Sequence, residues 1–398
     1  MPRPPLTARI AAAMVLGGLA GAGLGLAAAP LGELGKLVIT LIKTAAAPLL
    51  FLSIVSAIVK TEVSGRDGAR MVLIAMVNAA LALTIGLGVS NLLEPGRQLD
   101  LGPAHGAGPA TAAGQPLEFA KIVNSLVPTS VVEPFVSGNI LAIVVLALLL
   151  GAGLRAGKAR AEGEAARGLA AFEEMLAGLL KVLEAVLGWV VALVPLAVFG
   201  VVARSMGQYG LAPARGLAAY VGAAALGFAL HVTIVYVGWV RLYAGIPLSR
   251  LWTESKETLA YAFGVNSSLA TLPLTLKTLD RLGVSRKSSA LGACVGTNLN
   301  HDGIILYEGM AVLFVAQAHG LHLTLAQQML AAASCLVAAM GIAGVPEAGF
   351  VSLSLVIATV GLPAESLPLL LTVDWLVARG RSVVNVLSDM VLSIALDA

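Results

Sequence analysis

The stretch TLAYAFGVNSSLATLPLTL at residues 258–276 is the most informative about the fold, because it is apolar at both ends and polar in the middle. It carries no charge, and it is long enough to cross a bilayer as a helix of about 20 residues. Its centre, GVNSS, holds residues that favour turns and helix caps. A backbone broken at membrane depth is tolerated only where protein or water satisfies the freed amides and carbonyls. The stretch therefore predicts a re-entrant helical hairpin over residues 252–277.

The rest of the chain has the composition of a membrane protein. Of its 398 residues, 58% are hydrophobic and only 12% are charged, whereas soluble domains have about 25% charged residues. Uncharged runs of membrane-spanning length recur at residues 10–32, 71–93, 136–154, 185–203 and 216–240. A soluble fold with unusually long core helices is the alternative, and the recurrence of these runs argues against it. We predict an all-α membrane protein.

The apolar runs and their flanks predict eight transmembrane helices. These helices lie near residues 8–30, 34–60, 68–93, 135–156, 168–205, 214–243, 284–318 and 362–395. Short loops rich in Lys and Arg mark the cytoplasmic side. Such residues precede the first helix and follow the second, fourth and sixth helices. We therefore expect a multi-pass protein of the cell (inner or plasma) membrane with both termini in the cytoplasm.

A second stretch, MGIAGVPEAGF at residues 340–350, repeats the pattern of apolar arms around a Gly/Pro-rich tip. It predicts a second re-entrant hairpin over residues 324–361. Paired interrupted segments are the best pointer in a sequence to a transporter binding site. One kinked span in place of each hairpin is the alternative. It is weaker for the pair, because each segment is followed by a helix loaded with polar residues.

The helix that follows the second hairpin carries its polar residues on one face. The residues of this stripe, at offsets of 0, 4, 7, 11 and 15, are Asp374, Ala378, Arg381, Asn385 and Asp389. Each charge would cost about 2.5–3.5 kcal/mol at mid-membrane. We therefore expect the stripe to face the protein interior or an aqueous cavity. The helix after the first hairpin carries a second polar cluster, GTNLNHDG at residues 296–303.

These polar groups favour an anion site beside a cation site. Arg381 offers a planar fork that matches a carboxylate, and the hairpin tips add helix N-termini and the hydroxyls of Ser267 and Ser268. Asp302 and Asp389, beside amide oxygens, form an oxygen-rich cage for a hard monovalent cation such as Na+, or they carry protons themselves. The alternative is that the charges only pair with one another to hold helices together. That alternative does not account for the two broken hairpins.

Four motifs together resemble the dicarboxylate/amino acid:cation symporter family, to which the glutamate transporters belong. They are NSSLATLP at 266–273, NLNHDG at 298–303, GIAGVPEAG at 341–349 and the pattern D…RGRSVVNVLSD at 374–389. The resemblance implies a glutamate-transporter-like elevator fold with eight transmembrane helices, two re-entrant helical hairpins and a homotrimer. It implies a scaffold formed by residues 1–60 and 135–205, and a transport domain formed by residues 68–93 and 214–398.

The resemblance also assigns residues to two sites. It implies a substrate site formed by Asn266, Ser267, Ser268, Ile304, Val345, Pro346, Glu347, Ala348, Gly349, Asp374, Ala378, Arg381, Ser382 and Asn385. It implies a cation site formed by Gly296, Asn298, Asn300, Asp302, Asn385 and Asp389, with Gly296, Asn300, Asn385 and Asp389 as candidate Na+ ligands. His301 is a candidate proton carrier, since an unperturbed histidine titrates near neutral pH. A histidine satisfied by a local carbonyl is the alternative.

The chain departs from the family pattern at both sites. Ala378 stands where acidic-amino-acid carriers place an Asp that receives the amino group of the substrate. A methyl group cannot pair with an ammonium group, which favours a C4-dicarboxylate, unless Glu347 replaces the missing partner in an amino acid carrier. Ala75, Asn78 and Ala79 fill positions where Na+-coupled relatives place Tyr, Thr and Ser around one ion. Na+ and H+ therefore both stay open as coupling ions.

We predict a secondary active symporter that takes up a carboxylate-bearing solute, a C4-dicarboxylate or an acidic amino acid, with Na+ and/or H+ by an elevator mechanism. The expected partners are a small organic anion, membrane lipid and further copies of the chain, without nucleic acid or a cofactor. An anion-conducting channel on the same scaffold is the alternative. An intramembrane enzyme is disfavoured, because the sequence contains no HExxH or GxSxG motif.

Overall fold

The computed structural model describes residues 6–60, 65–99, 101, 130–137, 140–298, 300–340, 348–363 and 366–398, and every regular element in these ranges is helical. The first helices are α1 (Leu6–Leu24, continued by the 3-10 helix Gly25–Gly32), α2 (Glu33–Lys60), α3 (Gly65–Leu93), α4 (Glu133–Ser137), α5 (Ile140–Arg160), α6 (Gly163–Val191) and α7 (Val194–Tyr209). The later helices are α8 (Ala212–Leu230, continued by π-helical turns), α9 (Leu248–Val265), α10 (Ser268–Leu282), α11 (Arg286–Ser289), α12 (Asp302–Ala318), α13 (Leu325–Met340), α14 (Ala348–Val360) and α15 (Leu367–Asp397). The predicted all-α class is confirmed.

Five helical stretches of the described chain are long and apolar enough to cross a membrane. They are Ala8–Ser56, Arg66–Gln98, Ala142–Arg160, Gly163–Tyr209 and Pro213–Tyr243. Large apolar side chains are exposed on several of them, such as Leu19, Leu149 and Trp189. Such a surface is suited to lipid or to other protein copies and not to water. The chain is therefore a multi-pass membrane protein, whereas the count of eight spans stays a prediction.

The helix predicted over residues 168–205 is interrupted at Ala192 and Leu193, between α6 and α7, within the helical stretch Gly163–Tyr209. Pro195 explains the break. It has no backbone N–H and its ring crowds the carbonyl four residues earlier, so it is tolerated in the first turn of a helix and not in the interior. The amide of Leu196 instead closes a tight turn on the carbonyl of Leu193 at 2.9 Å.

One group of helices packs around α2. Helices α5, α6 and α7 contact α2, and α1 packs along α7. Glycines allow this close approach, since a Cβ atom on Gly17 or Gly21 would overlap the backbone carbonyls of Phe199 or Ala203. Small residues at helix contacts are typical of membrane proteins, where close packing replaces the hydrophobic effect.

A second group surrounds α12 and α15. Every residue of α12 except Gln317 is buried, and helices α3, α8, α13 and α14 pack against it. Helix α15 contacts α8, α9, α10 and α12. The two groups meet where α14 lies on α2 and α15 lies on α7. This places the polar stripe of α15 at the centre of the second group, next to its boundary with the first.

Candidate anion and cation site

The first broken segment is a pair of helices joined by a tight turn. Helix α9 ends at Val265, and Asn266 takes the left-handed conformation with φ 55°, which asparagine adopts more readily than most residues. Ser267 then caps α10 by accepting a hydrogen bond from the amide of Ala270 at 3.2 Å. Asn266 therefore ends α9, and Ser267 begins α10. Pro273 lies inside α10 and does not cause the break.

The two arms of this segment run back along each other. The hydroxyls of Thr258 and Thr278 lie 2.9 Å apart across the pair, and the guanidinium of Arg281 donates to the carbonyl of Glu254 at 2.8 Å. One contact lies in the middle of the arms and the other near their base. Residues 258–276 therefore do not form one continuous rod. Entry of this hairpin into the membrane from one side stays a prediction.

The tip of the first hairpin is attached to α15. Ser382 donates through its hydroxyl to Oδ1 of Asn266 at 2.7 Å. Arg379 donates through Nη1 to the carbonyl of Phe263 at 3.2 Å, and its guanidinium lies 5.9 Å from the centroid of the Phe263 ring. Asn266 and Ser382, both predicted substrate ligands, are therefore bonded to each other.

The second broken segment is described in its two arms, α13 and α14, which pack against each other. Val345, Pro346 and Glu347 lie outside the described residues, and so does the side chain of Ala348. The first turn of α14 reaches α15 directly. A Cβ atom on Gly349 would overlap the guanidinium of Arg381, so glycine is required here for the close approach.

The predicted stripe of α15 faces the protein interior. Its members are all buried, with exposed fractions of 2% for Asp374, 0% for Ala378, 4% for Arg381, 5% for Asn385 and 2% for Asp389. The expectation that these groups avoid lipid is therefore confirmed. Ile304 is also buried, at 5% exposure. This branched apolar side chain lies on α12, the helix that packs against α15.

Arg381 is the centre of a cationic region. Its Nη1 lies 3.7 Å from Oδ1 of Asp374, beyond hydrogen-bond distance, and its Cζ lies 4.8 Å from the centroid of the Tyr307 ring. Gly349, in the N-terminal turn of α14, lies against the guanidinium, and a helix N-terminus carries a partial positive charge. A guanidinium and a helix N-terminus together favour an anion.

The helix that follows the first hairpin is broken at the polar motif. The predicted span over residues 284–318 consists of the short helix α11, a π-helical turn, the 3-10 turn Gly296–Asn298 and then α12 from Asp302. Asp302 is fully buried. Its Oδ2 accepts from the Tyr236 phenol at 2.9 Å and from the Ser388 hydroxyl at 2.5 Å. Nε2 of His231 lies 3.4 Å from the same oxygen.

Asn300 and Asn385 tie the broken backbone to α15. The amide group of Asn300 donates to the Ser388 hydroxyl at 2.6 Å. Oδ1 of Asn385 accepts from the backbone amide of Gly303 at 2.8 Å. The start of α12 is therefore held by side chains one turn apart on α15.

Three buried oxygens of this cluster have no hydrogen-bond donor among the described residues. They are Oδ1 of Asn300, Oδ1 of Asp302 and Oδ1 of Asp389. Gly296 lies beside Asp389, since a Cβ atom built on Gly296 would be 4.0 Å from Oδ1 of Asp389. Buried polar atoms normally have partners, and a set of acceptors without donors is what a hard cation requires. These oxygens are therefore of the chemical type that binds a cation such as Na+.

Two further predicted residues are placed less fully. His301 is 2% exposed, its ring lies near the backbone carbonyl of Ala339, and its Nδ1 has no partner within the described ranges. The side chain of Asn298 lies outside the described part of the chain. Asn78 of α3 is buried, and its Oδ1 accepts from the indole of Trp239 at 2.6 Å.

The sequence interpretation missed a buried carboxylate. Glu308 of α12 is fully buried and accepts a hydrogen bond from Ser352 of α14, and Cys335 of α13 lies beside it. A glutamate within the apolar run LYEGMAVLFVA was a usable signal, because an acidic residue inside a membrane helix marks a functional position. His231 and Tyr236 gave the same signal within the apolar run 216–240.

Buried charges enclosed by helix breaks, within a bundle of membrane-spanning length, define a polytopic membrane transport protein. Residues 6–398 match the sodium:dicarboxylate symporter family, and the chain belongs to that family. The resemblance predicted from the four motifs is thus confirmed. The chain is a transport protein and not an enzyme.

Several relatives align over nearly the whole chain. The C4-dicarboxylate transport protein of Anaeromyxobacter sp. (strain K) is 32% identical over 391 residues, which cover 96% of this chain and 87% of the relative. The C4-dicarboxylate transport protein 3 of Ralstonia nicotianae is 31% identical over 396 residues, with the same coverage. The C4-dicarboxylate transport protein of Burkholderia orbicola (strain MC0-3) is 31% identical over 375 residues, which cover 92% of this chain and 85% of the relative.

Proposed function

We propose that the protein is a secondary active symporter that takes up a C4-dicarboxylate together with Na+ and/or H+. One observation carries this proposal: the guanidinium of Arg381 and the N-terminal turn of α14 lie against each other inside the protein. Two sources of positive potential in contact favour an anion between or beside them. Asp374 offsets this potential only in part, at 3.7 Å and without a hydrogen bond.

The substrate class follows from the groups around Arg381. A planar guanidinium favours a carboxylate. Ala378, on the same stripe, is buried and offers only a methyl group, so the place where an ammonium partner is expected is apolar. The relatives named above are C4-dicarboxylate transport proteins, and succinate, malate and fumarate fit this chemistry better than aspartate does.

The coupling cation would bind at the second polar cluster. The donorless oxygens of Asn300, Asp302 and Asp389 would hold Na+, with the backbone of Gly296 and the side chain of Asn385 nearby. Both clusters lie along α15, so a conformational change in this helix affects anion and cation together. Proton coupling is the second candidate, since His301 and several carboxylates are buried in the same region.

Transport would follow an elevator mechanism. The helices around α2 would form a fixed scaffold (residues 1–60 and 135–205), and those around α12 and α15 would form a moving transport domain (residues 68–93 and 214–398). The separate packing of these groups supports this division. The exposed apolar side chains of Met175, Leu179 and Val182 on α6 support a homotrimer through the scaffold. The site of action would be the cell inner membrane, with cytoplasmic termini.

Uptake into vesicles tests the proposal. Purified protein is reconstituted into liposomes, and accumulation of labelled succinate is measured with an inward Na+ gradient, an inward H+ gradient, both or neither. We expect accumulation above the external concentration with at least one gradient, and competition by malate and fumarate more than by aspartate. Protein-free liposomes are the control. Accumulation of succinate that depends on neither the Na+ gradient nor the H+ gradient would contradict cation coupling.

Counterflow separates a carrier from a channel. Vesicles preloaded with unlabelled succinate should draw labelled succinate inward without any ion gradient, because an alternating site exchanges one molecule for another. An anion channel cannot do this, since it only dissipates a gradient. A succinate current without counterflow would therefore replace the symporter with the channel alternative.

A further inference from the structure

Thr297 is a buried hydroxyl residue that lies between the two candidate sites and belongs to neither predicted set. It is 1% exposed, and it is part of the 3-10 turn Gly296–Asn298, which lies between a π-helical turn and α12. Irregular turns of this kind within a helical segment often mark functional positions. The break in the helix thus places a polar side chain in the protein interior.

The hydroxyl of Thr297 has two acceptors within reach. It donates to Oγ of Ser268 at 3.3 Å, and it also makes a hydrogen-bond contact with the carboxylate of Asp389. Ser268 is the first residue of α10, at the tip of the first hairpin, and its hydroxyl is one of the predicted substrate ligands. Asp389 lies on α15 and is 2% exposed. One side chain therefore joins the anion site to the cation cluster.

A hydroxyl group carries a single hydrogen, so Thr297 cannot donate fully to both acceptors at once. An ionised carboxylate is the stronger acceptor, because hydrogen bonds to charged groups are roughly twice as strong as neutral ones. A cation bound beside Asp389 weakens this bond, since a bound ion is often the largest charge in a site. The hydroxyl oxygen of Ser268 is then the better acceptor for Thr297.

The carboxylate of Asp389 has other contacts that hold it when Thr297 turns away. The side chain of Asn300 also makes a hydrogen bond with Asp389, and its amide group donates to Ser388, on the same helix as Asp389, at 2.6 Å. Gly296 lies close as well, since a Cβ atom there would be 4.0 Å from Oδ1 of Asp389. The exchange of acceptors therefore requires the rotation of one hydroxyl about its C–O bond, and no proton leaves an oxygen atom.

We propose that Thr297 is a positioning residue that couples cation binding to substrate binding. With Na+ at Asp389, the hydroxyl of Thr297 donates to Ser268, and the hydrogen of Ser268 then donates to a carboxylate of the substrate. Without Na+, Thr297 donates to Asp389, and Ser268 loses the partner that orients it. This inference rests on the proposed function, and it names the contact through which the anion and cation sites act on each other.

The inference predicts a change in the coupling between Na+ and succinate, which calorimetry on purified protein measures. The dissociation constant of succinate is determined at a low and at a saturating NaCl concentration, with choline chloride keeping the ionic strength constant. The ratio of the two constants is the coupling factor, and such factors are commonly about 5- to 150-fold. We expect Thr297→Val, which removes the hydroxyl and keeps the shape, to lower the factor about fivefold or more. Thr297→Ser, which keeps a hydroxyl, should retain most of it.

Thr275→Val is the matched control. Thr275 is a buried threonine of α10 with 1% exposure, and its hydroxyl donates to the carbonyl of Thr271 in the same helix at 3.3 Å. Removal of this hydroxyl should leave the coupling factor at the wild-type value. By linkage, the affinity for Na+ measured with and without succinate should give the same factor in each protein. A wild-type factor in Thr297→Val overturns the inference, and so does an equal loss in Thr275→Val.

Ser268→Ala covers the case in which Thr297→Val does not fold. It removes the other partner of the same hydrogen bond, so the coupling factor should again fall about fivefold or more, and the double variant should fall no further. A wild-type factor in Ser268→Ala overturns the inference. Succinate binding that does not respond to Na+ in wild-type protein also overturns it and leaves a proton-coupled symporter under the proposed function. No succinate binding at all would overturn the proposed function, and this inference with it.

Discussion

The clusters around Arg381 and Asp302 show two ways of burying a charge in the region where α12 packs against α15. Oδ2 of Asp302 has two short hydrogen bonds, from Tyr236 and Ser388, and His231 nearby. Nη1 of Arg381 lies 3.7 Å from Oδ1 of Asp374, beyond hydrogen-bond distance. The first arrangement is fixed by several helices, whereas in the second Arg381 and Asp374 make no hydrogen bond with each other.

This difference indicates which cluster responds to a ligand. A carboxylate oxygen with two short hydrogen bonds gains little by rearranging, so Asp302 positions the start of α12. A guanidinium that is not hydrogen-bonded to the carboxylate beside it can bind the carboxylate of a ligand without first breaking such a bond. We therefore expect changes near Arg381 to affect substrate affinity and changes near Asp302 to affect stability.

The largest effect is expected for Arg381→Ala. Removal of one partner of a buried, hydrogen-bonded charge pair costs about 2–5 kcal/mol, which corresponds to a loss of affinity of roughly 30-fold or more. Succinate binding should therefore fall below detection in calorimetry. Arg281→Ala, at a partly exposed arginine paired with Glu254, is the control. Wild-type affinity for succinate in Arg381→Ala would show that the anion site lies elsewhere.

A smaller effect is expected for Gly349→Ala. The added Cβ atom would overlap the guanidinium of Arg381, so the guanidinium has to shift away from the position that receives the substrate. We expect succinate affinity to fall about tenfold, the equivalent of about 1.4 kcal/mol. Gly178→Ala is a matched control, because a Cβ atom there meets nothing within 4 Å. Equal affinities in the two variants would mean that α14 does not set the position of Arg381.

Tyr236→Phe tests the contribution of the cluster around Asp302 to stability. It removes a buried donor to Asp302 at 2.9 Å, and a buried acceptor that loses its donor costs about 1–3 kcal/mol. We expect a lower thermal unfolding temperature in detergent, with a smaller relative change in succinate affinity than in Gly349→Ala. Tyr261→Phe, at a tyrosine that is 45% exposed, should unfold like wild type. A stability loss of the same size in both variants would show that the hydrogen bond to Asp302 contributes nothing.

The smallest effect is expected for Arg379→Gln, which removes the contact with the tip of the first hairpin. An exposed cation–π contact is worth about 0.5–1 kcal/mol, so succinate affinity should change about two- to fivefold. Opening of the tip is measured by the labelling rate of a cysteine introduced at the buried position Ala262. The variants are made in a protein in which Cys294 and Cys335 are replaced. Faster labelling in Arg379→Gln, reversed in Arg379→Lys, indicates that the tip opens more often. Equal labelling rates in all three proteins would mean that Arg379 does not hold the tip.

Local patterns in the sequence predicted the helical class and the position of the first helix break. The NS pair at 266–267 predicted the break of the first hairpin, because a left-handed asparagine and a capping serine act within one turn. The spacing of Asp374, Arg381, Asn385 and Asp389 predicted one buried stripe, since helical geometry fixes which residues share a face. Pro195 was a signal that the prediction of one helix over 168–205 overlooked.

Contacts between distant residues were not predictable in the same way. Asn266 accepts a hydrogen bond from Ser382, and Ser388 bonds to both Asn300 and Asp302. The spacing of these residues in the sequence does not predict these contacts. These bonds join residues more than 80 positions apart, so they depend on how helices α9, α12 and α15 are arranged in space. The choice between substrate ligand and structural partner was therefore open for each of these polar residues.

Composition and residue spacing alone predicted a helical membrane protein with broken helices and a buried charged stripe. Those features depend on composition and on spacings of a few residues, which act through local backbone chemistry and through the cost of placing charge in lipid. The contacts between helices became visible only in three dimensions: one oxygen of Asp302 accepts two short hydrogen bonds, whereas Arg381 and Asp374 lie 3.7 Å apart. The strength of a buried charge pair depends on distances of a few ångströms between separate helices, and no local pattern encodes them.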